Sequence, residues 1–399
     1  MTPLRAALAA LLLAAPAAIA APAPKDWPAI LEAARGQTVW FNAWGGSTRI
    51  NDYIAWAAAE AEARFGFEVE QVKLGDTSEA VSRVVTEITA GLTEGGAVDL
   101  IWINGENFAA MKSRGLLYGP WAGGIPNAAL LDPDANPALS LDFAVETEGY
   151  ESPWGLAQFV FYRNAARLPE PPMSIPALLD WAKAHPGRFA FPAPPDFLGV
   201  TFLKQALIEL TPDRARLIEP PGADAETILA PLWAYMRELT PHLWRGGRAY
   251  PASGPRLFPL MADDEIDLAV NFGAGEISAA VANYDLPETA RAYVLTGGTI
   301  ANAHFLAIPA NAKAKEAAMV FADFLLSPEA QARKADPEVW GDATALSMEK
   351  LPPEEATRFA ALDPGPAARE AKGPALPEPH ADWAPLIEAG WKTRFAVAE

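Results

Sequence analysis

Apolar residues fall in strand-like runs and helical stripes along most of the chain, and their order predicts the architecture. A run rich in β-formers, Gln37-Thr-Val-Trp-Phe-Asn-Ala43, precedes a helical stripe at Ile50, Tyr53, Ile54, Ala57, Ala58 and Ala61. Gly66 marks the end of that helix, and Phe67, Val69 and Val72 predict the next strand. Asp76-x-x-Glu79 reads as a capping box ahead of a helix carrying Val81, Val84, Val85 and Ile88. Val98 to Ile103 is an apolar strand broken only by Asp99. Strand and helix alternating in this way predict a parallel sheet with helices on its faces, an α/β fold.

Residues 119–153 read as a Gly- and Pro-rich loop, after which the same grammar returns. A strand is predicted over Gly155–Tyr162, then a helix capped by Ser174 and carrying Leu178, Leu179 and Trp181. Phe189 to Phe191 is expected as a strand, Pro192 to Leu198 as a turn, and Val200 to Leu210 as a helix. Ile266–Asn271 and Arg291–Leu295 read as strands, separated by a turn at Gly273-Ala-Gly275 and a short helix over Ile277–Val281. Gly297-Gly298 then opens a strand over Ile300–Ile308 and a helix with Ala317, Val320, Phe321 and Phe324 on one face. The middle of the chain is thus a second α/β unit, and the last sixty residues form a Pro-rich tail with short helices.

The amino terminus has a different grammar. Met1 to Arg5 carries one positive side chain, Ala6 to Ala15 is nearly all Ala and Leu, and Ala18-Ile19-Ala20 supplies small residues for cleavage. That is the pattern of a secretory signal peptide cut after Ala20. The apolar run is shorter than the roughly 20 residues that span a bilayer, and Pro16 ends it. A soluble, exported, periplasmic protein is expected. With no Cys at the cleavage site, no acyl anchor can be attached there.

Composition narrows the chemistry. The 399 residues include no Cys and carry a net charge of −19. Disulfides, thiolate metal sites and thiol nucleophiles are excluded, and the charge repels nucleic-acid backbones. The four histidines, His185, His242, His304 and His380, lack metal-ligand spacing. No nucleophile elbow, Walker loop or dinucleotide fingerprint occurs, so neither catalysis nor a cofactor is expected.

What remains is a set of polar, glycine-rich and aromatic turns placed after predicted strands, where open α/β sheets bind ligands. Trp44-Gly45-Gly46-Ser47 follows the first strand, and Asn104-Gly105-Glu106-Asn107 follows the third. Asp196-Phe197 and Asn271-Phe272-Gly273-Ala274-Gly275-Glu276 hold equivalent places in the second unit. Each turn alone could be a plain helix cap; their recurrence in both units favours a shared site. Carboxylates beside aromatic faces suit an organic cation, whereas exposed helix starts suit an anionic group.

At these positions the sequence resembles the two-lobed extracellular solute-binding proteins of ABC importers. The resemblance is closest to the group that contains thiamine-, polyamine- and ferric-iron-binding members. Phe41-Asn-Ala-Trp-Gly-Gly-Ser47 with Trp340-Gly341-Asp342 looks most like its YnjB-like branch. Phe324-Leu-Leu-Ser-Pro-Glu-Ala-Gln331, Asp99-Leu-Ile-Trp-Ile103 and the crossing segment Trp154-Gly-Leu-Ala-Gln158 through Asn164 also match. The resemblance implies a type II periplasmic-binding-protein fold with the solute held between lobes that close about a hinge. Lobe 1 would comprise residues 25–153 and 300–345, lobe 2 residues 154–299, and residues 346–399 would be a helical tail packed on both.

It also implies a monomer that hands its solute to a membrane permease and ATPase. Trp154, Gln158, Asn302, His304 and Trp340 join the candidate ligand-binding residues on this ground. Ferric-binding members use adjacent tyrosines, and no Tyr-Tyr occurs here, so iron is not expected. The competing expectations are an exported hydrolase, requiring Glu106 or His304 bonded to a Ser or Thr hydroxyl, and a protein-only adaptor with no pocket. If Trp44 is a stacking face rather than core, Trp44→Ala weakens solute binding far more than it lowers stability. Calorimetric titration beside thermal unfolding reads the two effects; equal losses would return Trp44 to the core.

Overall fold

The computed structural model describes residues 26–395, so the predicted signal peptide and its cleavage at Ala20 lie outside the described residues. A short helix, α1 (Trp27–Ala34), leads into β1 (Thr38–Trp44), which lies parallel between β2 (Glu68–Leu74) and β3 (Leu100–Ile103). The crossovers are α2 (Thr48–Phe65) and α3 (Ser78–Thr89), and α4 (Gly105–Ser113) follows β3. The stripe expected on α2 is its buried face: Ile50, Tyr53, Ile54, Ala57 and Ala61 all point inward. Gly66 closes α2 at φ 74°, a left-handed turn that a Cβ would strain. Glu79 accepts from the Gly75 and Asp76 N–H groups, one arm of the expected capping box. The Asp76 side chain accepts from the Ser78 N–H instead of that of Glu79, and Thr77 is the N-cap of α3.

Residues 119–153 are less irregular than expected. They wind through three 3-10 turns and a hairpin of β4 (Leu141–Asp142) and β5 (Val145–Glu146). The next strand starts earlier than its apolar run suggests, because Glu151 and Ser152 already pair across the sheet. This β6 (Glu151–Asn164) lies antiparallel to β7 (Leu268–Phe272), β8 (Ala290–Tyr293) and β9 (Thr299–Ala307). The sheet runs in the order β2-β1-β3-β9-β6-β7, with β8 also on β6.

The expected strand at Phe189–Phe191 reduces to a single bridge between Phe189 and Leu268. Pro192 has no N–H to extend the ladder, and the chain turns away there toward α6. Helices α5 (Ile175–Ala184), α6 (Phe197–Leu210), α7 (Ala225–Leu239), α8 (Leu257–Ala262) and α9 (Ala274–Ala282) surround this half. The turn expected at Gly273-Ala-Gly275 is the start of α9 itself, with Gly273 as its N-cap.

Beyond β9, α10 (Lys315–Leu325) and α11 (Pro328–Ala335) return to the first sheet. The tail holds α12 (Pro353–Ala360), α13 (Gly365–Ala368), β10 (Ala375–Leu376) and α14 (Trp383–Phe395). Among the described residues no helix is long and apolar enough to cross a membrane.

The apolar interior separates into distinct cores. One joins Phe41, Ile54, Ile101 and Trp154 to Phe305 and Phe321. A second joins Phe159, Phe161, Phe202, Trp233 and Val270 to Ile300 and the tail residues Trp383, Ile387 and Trp391. A third, smaller core covers the other face of β6 and β7 with Val160, Tyr162, Ala269 and Ile277. Both β6 and β9 contribute to the first and second cores, so these strands cross between them.

Trp383 is fully buried, and its indole N–H donates to the Glu219 carbonyl at 3.0 Å. Trp383→Ala should therefore cost about 3–5 kcal/mol, as a large cavity does in a packed interior. Urea unfolding read by far-UV circular dichroism checks this, and a loss below about 1 kcal/mol would mean the tail is not part of that core.

Candidate functional site

The turns named from sequence lie along the seam between the first core and the other two. On the first-core side, Trp44 ends β1 and its ring folds back over Gly46, where a Cβ would collide with the indole. Gly45 donates to the Leu74 carbonyl and accepts from Asn51, so the turn is pinned to β2 and α2. Ser47 is the N-cap of α2, yet its side chain makes no capping bond. Asn104 likewise caps α4 without a side-chain bond to the backbone; it accepts from Asn107 at 3.2 Å instead. These helix starts keep free N–H groups.

Glu106, in the first turn of α4, belongs to an unusual charge cluster. Lys204 of α6 is 1% exposed and pairs with Glu378 of the tail at 2.6 Å. Its ammonium also lies 3.8 Å from the centre of the Phe143 ring and 5.9 Å from that of Phe197, within cation–π reach. Glu106, Asp142, Glu378 and Glu388 all feel that one ammonium. Burial pushes the carboxyls of Glu106 and Glu378 above the usual range, Asp142 well above it, and Glu388 up to about 7. Glu106 Oε2 is shielded from water and has no hydrogen-bond partner. Asn302 on β9 donates to Glu378 at 3.0 Å.

A second polar group lies farther along the seam and is internally closed. His304 Nε2 and Asp342 Oδ1 are 2.9 Å apart, and Lys334 Nζ donates to Asp342 Oδ2 at 2.8 Å. Burial opposes the Asp342 carboxylate, but the His304 and Lys334 charges outweigh it and hold its pKa below the ordinary value. Trp102, Trp154 and Trp340 wall this group, with ring centres 5.1–5.7 Å apart. Trp154 is fully buried and Trp340 nearly so. His304 is thus bonded to a carboxylate rather than to a hydroxyl.

The remaining expected residues line the second-core side. Asp196 caps α6, accepting from the N–H groups of Leu198 and Gly199, and burial raises its carboxyl to about 6. Phe197 and Phe272 pack together at 5.3 Å. Asn271 donates to Glu276 at 3.0 Å; burial raises the Glu276 carboxyl, while Asn271 and the Trp340 indole moderate the rise. Gln158 is occupied by the Pro374 carbonyl of the tail.

The seam therefore gathers Glu106, Asp196, Phe197, Phe272, Asn271, Glu276, Asn302, His304 and Trp340. Trp154 sits behind it in the core, and Trp44 to Ser47 occupy the adjacent β1 rim. Sequence reasoning missed Lys204, Glu378, Glu388, Asp142 and Phe143. Lys204 carried a signal, being the one cation in a largely apolar helix. A separate groove of about 570 Å³, lined by Gln37, Thr38, Trp40, Glu68 and Lys313, opens at the amino-terminal end of β1. That is the end of a parallel sheet where ligands are not expected.

The family model described as bacterial extracellular solute-binding protein matches residues 56–356. The chain is a bacterial extracellular solute-binding protein. It is 43% identical to Protein YnjB of Escherichia coli (strain K12) over 373 residues, 93% of this chain and 94% of the relative. Its fold is similar to that of a putative spermidine/putrescine ABC transporter from Listeria monocytogenes (TM-score 0.60, 19% identity, 89% and 98% of the two chains). It is equally similar to the periplasmic binding protein AfuA from Actinobacillus pleuropneumoniae with bound fructose-6-phosphate (TM-score 0.62, 15% identity, 90% and 99%). The two-lobed binding-protein fold expected from the sequence is the fold observed, and members of this family bind solutes rather than transform them. ABC importers pair such proteins with a membrane permease and an ATPase.

The Asp196 carboxyl keeps its proton to about pH 6 when folded, whereas an unfolded aspartate loses it near pH 4. Between those values the native form binds more protons, so this residue's contribution to stability falls as pH rises. Asp196→Asn retains a capping side chain and removes the titration. Relative to the parent, the variant should therefore gain stability from pH 4 to pH 7, read as a widening difference in melting temperature. A pH-independent difference would contradict the assignment.

Proposed function

We propose that the protein is the periplasmic receptor of an ABC importer and that it closes two lobes over a small organic cation. Residues 25–153 and 300–345 would form lobe 1 and residues 154–299 lobe 2, with the tail after 345 packed across them. The monomer would present the closed, loaded form to the permease.

The observation that carries the cationic reading is the charge balance around Lys204. Glu378 is ion-paired with Lys204, the buried carboxyls of Glu106, Asp142 and Glu388 lie within the field of the same ammonium, and Glu106 Oε2 has no hydrogen-bond partner. Uncompensated buried carboxylate is costly, and a solute cation would relieve that cost. Phe197 and Phe272 offer faces beside it, which suits an ammonium or a cationic heterocycle. The free N–H groups at the starts of α2 and α4 support the rival, an anionic solute.

Calorimetry with spermidine, thiamine and fructose-6-phosphate as probes separates the two. Binding by a cationic probe is expected, and Glu106→Gln should weaken it at least tenfold, the effect of losing about 1.4 kcal/mol. Binding of the sugar phosphate alone, or an unchanged affinity in Glu106→Gln, would overturn the cationic reading.

A further inference from the structure

The seam is bridged on one flank by direct contacts between protein groups. Arg49, in the first turn of α2, reaches from the first core to α9, where its Nη2 donates to the Ala279 carbonyl at 2.7 Å. The same guanidinium lies 3.9 Å from Asp285 and within the field of Glu276. Beside it, the backbones of Gly275 on α9 and Gly341 after α11 lie against each other. A Cβ at 275 would fall inside the Gly341 carbonyl oxygen, and one at 341 would lie 2.7 Å from the Gly275 carbonyl carbon. Gly341 also holds φ 86°, which disfavours any side chain. α2 is anchored in the first core through Ile50 and Tyr53, and α9 in the third through Ile277 and Ala280.

We propose that Arg49, Gly275 and Gly341 form an interlobe latch that holds the protein closed without solute. They are positioning residues: they set solute affinity through the closed fraction, not by touching the solute. Only glycine at 275 and 341 lets the backbones meet, and only then does α9 bring the Ala279 carbonyl within reach of Arg49. Affinity for any solute then scales with the competent fraction. The inference rests on the two-lobed reading above and is independent of the charge of the solute.

The chain has no cysteine, so spin labels at Ser82→Cys and Tyr284→Cys, both exposed and one on each side of the seam, report its width cleanly. The protein is first freed of carried-over solute by unfolding in guanidinium and refolding. Electron–electron resonance distances of the otherwise unaltered chain should show a short, closed population. Gly275→Ala and, separately, Arg49→Ala should each lower the closed-to-open ratio at least tenfold, with Arg49→Lys restoring part of it. The two variants guard against misfolding at one position, and circular dichroism with urea midpoints confirms that each core is intact. A single long distance in the solute-free parent, or a closed population that both variants leave unchanged, would overturn the latch. Failure of every solute probe in calorimetry would leave these distances unaffected, so the two readings fail separately.

Discussion

The antiparallel pairing of β6 with β9 links the separate cores. These strands, 14 and 9 residues long, each begin in one apolar interior and end in another. Their ladder is uniform except at Trp154, where the register shifts between Pro153 and Gly155. A bulge there bends the pair and sends the Trp154 ring into the first core. Gln205 of α6 clamps the far end, donating to the Gly298 carbonyl and accepting from the Ile300 N–H. Two strands held this way can flex together, while the packed cores on either side resist deformation. On the proposed reading, that mechanical contrast is what would let the seam close over a solute.

The buried charges along the seam divide into two kinds. Lys334, Asp342 and His304 satisfy one another, and the Trp154 carbonyl takes a further Lys334 bond, so this group fixes local geometry. Lys204 differs: it pairs with Glu378 of the tail, while the buried carboxyls of Glu106, Asp142 and the tail's Glu388 lie within its field without a bond to it. The tail is therefore structurally tied to the site. β10 pairs with β9, Ala381 donates to the Phe143 carbonyl, and Trp383 seals the second core. Fixing those segments together keeps several carboxylates desolvated at one place, and low local dielectric makes each unpaired one more demanding of a cation.

The latch and the charge cluster lie on different flanks of the seam and use different physics. Glycine backbones approach to contact distance because nothing protrudes, and the Arg49 guanidinium then meets the Ala279 carbonyl and the field of Glu276 on α9, with Asp285 just beyond its end. The cluster around Lys204 is governed by desolvated charge. Closure and recognition can consequently be altered independently by substitution.

Much of this was legible in the chain itself. The period-3.6 stripe of α2, the Gly66 stop, the apolar run into β3 and the Ser174 cap each appear where local chemistry puts them, because they depend on neighbours within a few residues. Family membership was equally readable from the Trp44-Gly-Gly-Ser47 and Trp340-Gly-Asp342 segments. Placement of Glu106 just after β3 followed from the α/β grammar, whereas Asn271 lies inside β7 and Asp196 follows only a single bridge. Tertiary structure alone decided which of these groups are free. That His304 is taken by Asp342 and that Gln158 is spent on the tail depend on contacts spanning 38 and 216 residues. The partners of Lys204, 174 residues away at Glu378 and in the β4–β5 turn at Phe143, likewise have no local signature. Burial and long-range pairing set the charge state of a carboxylate, and neither is encoded in the few residues around it.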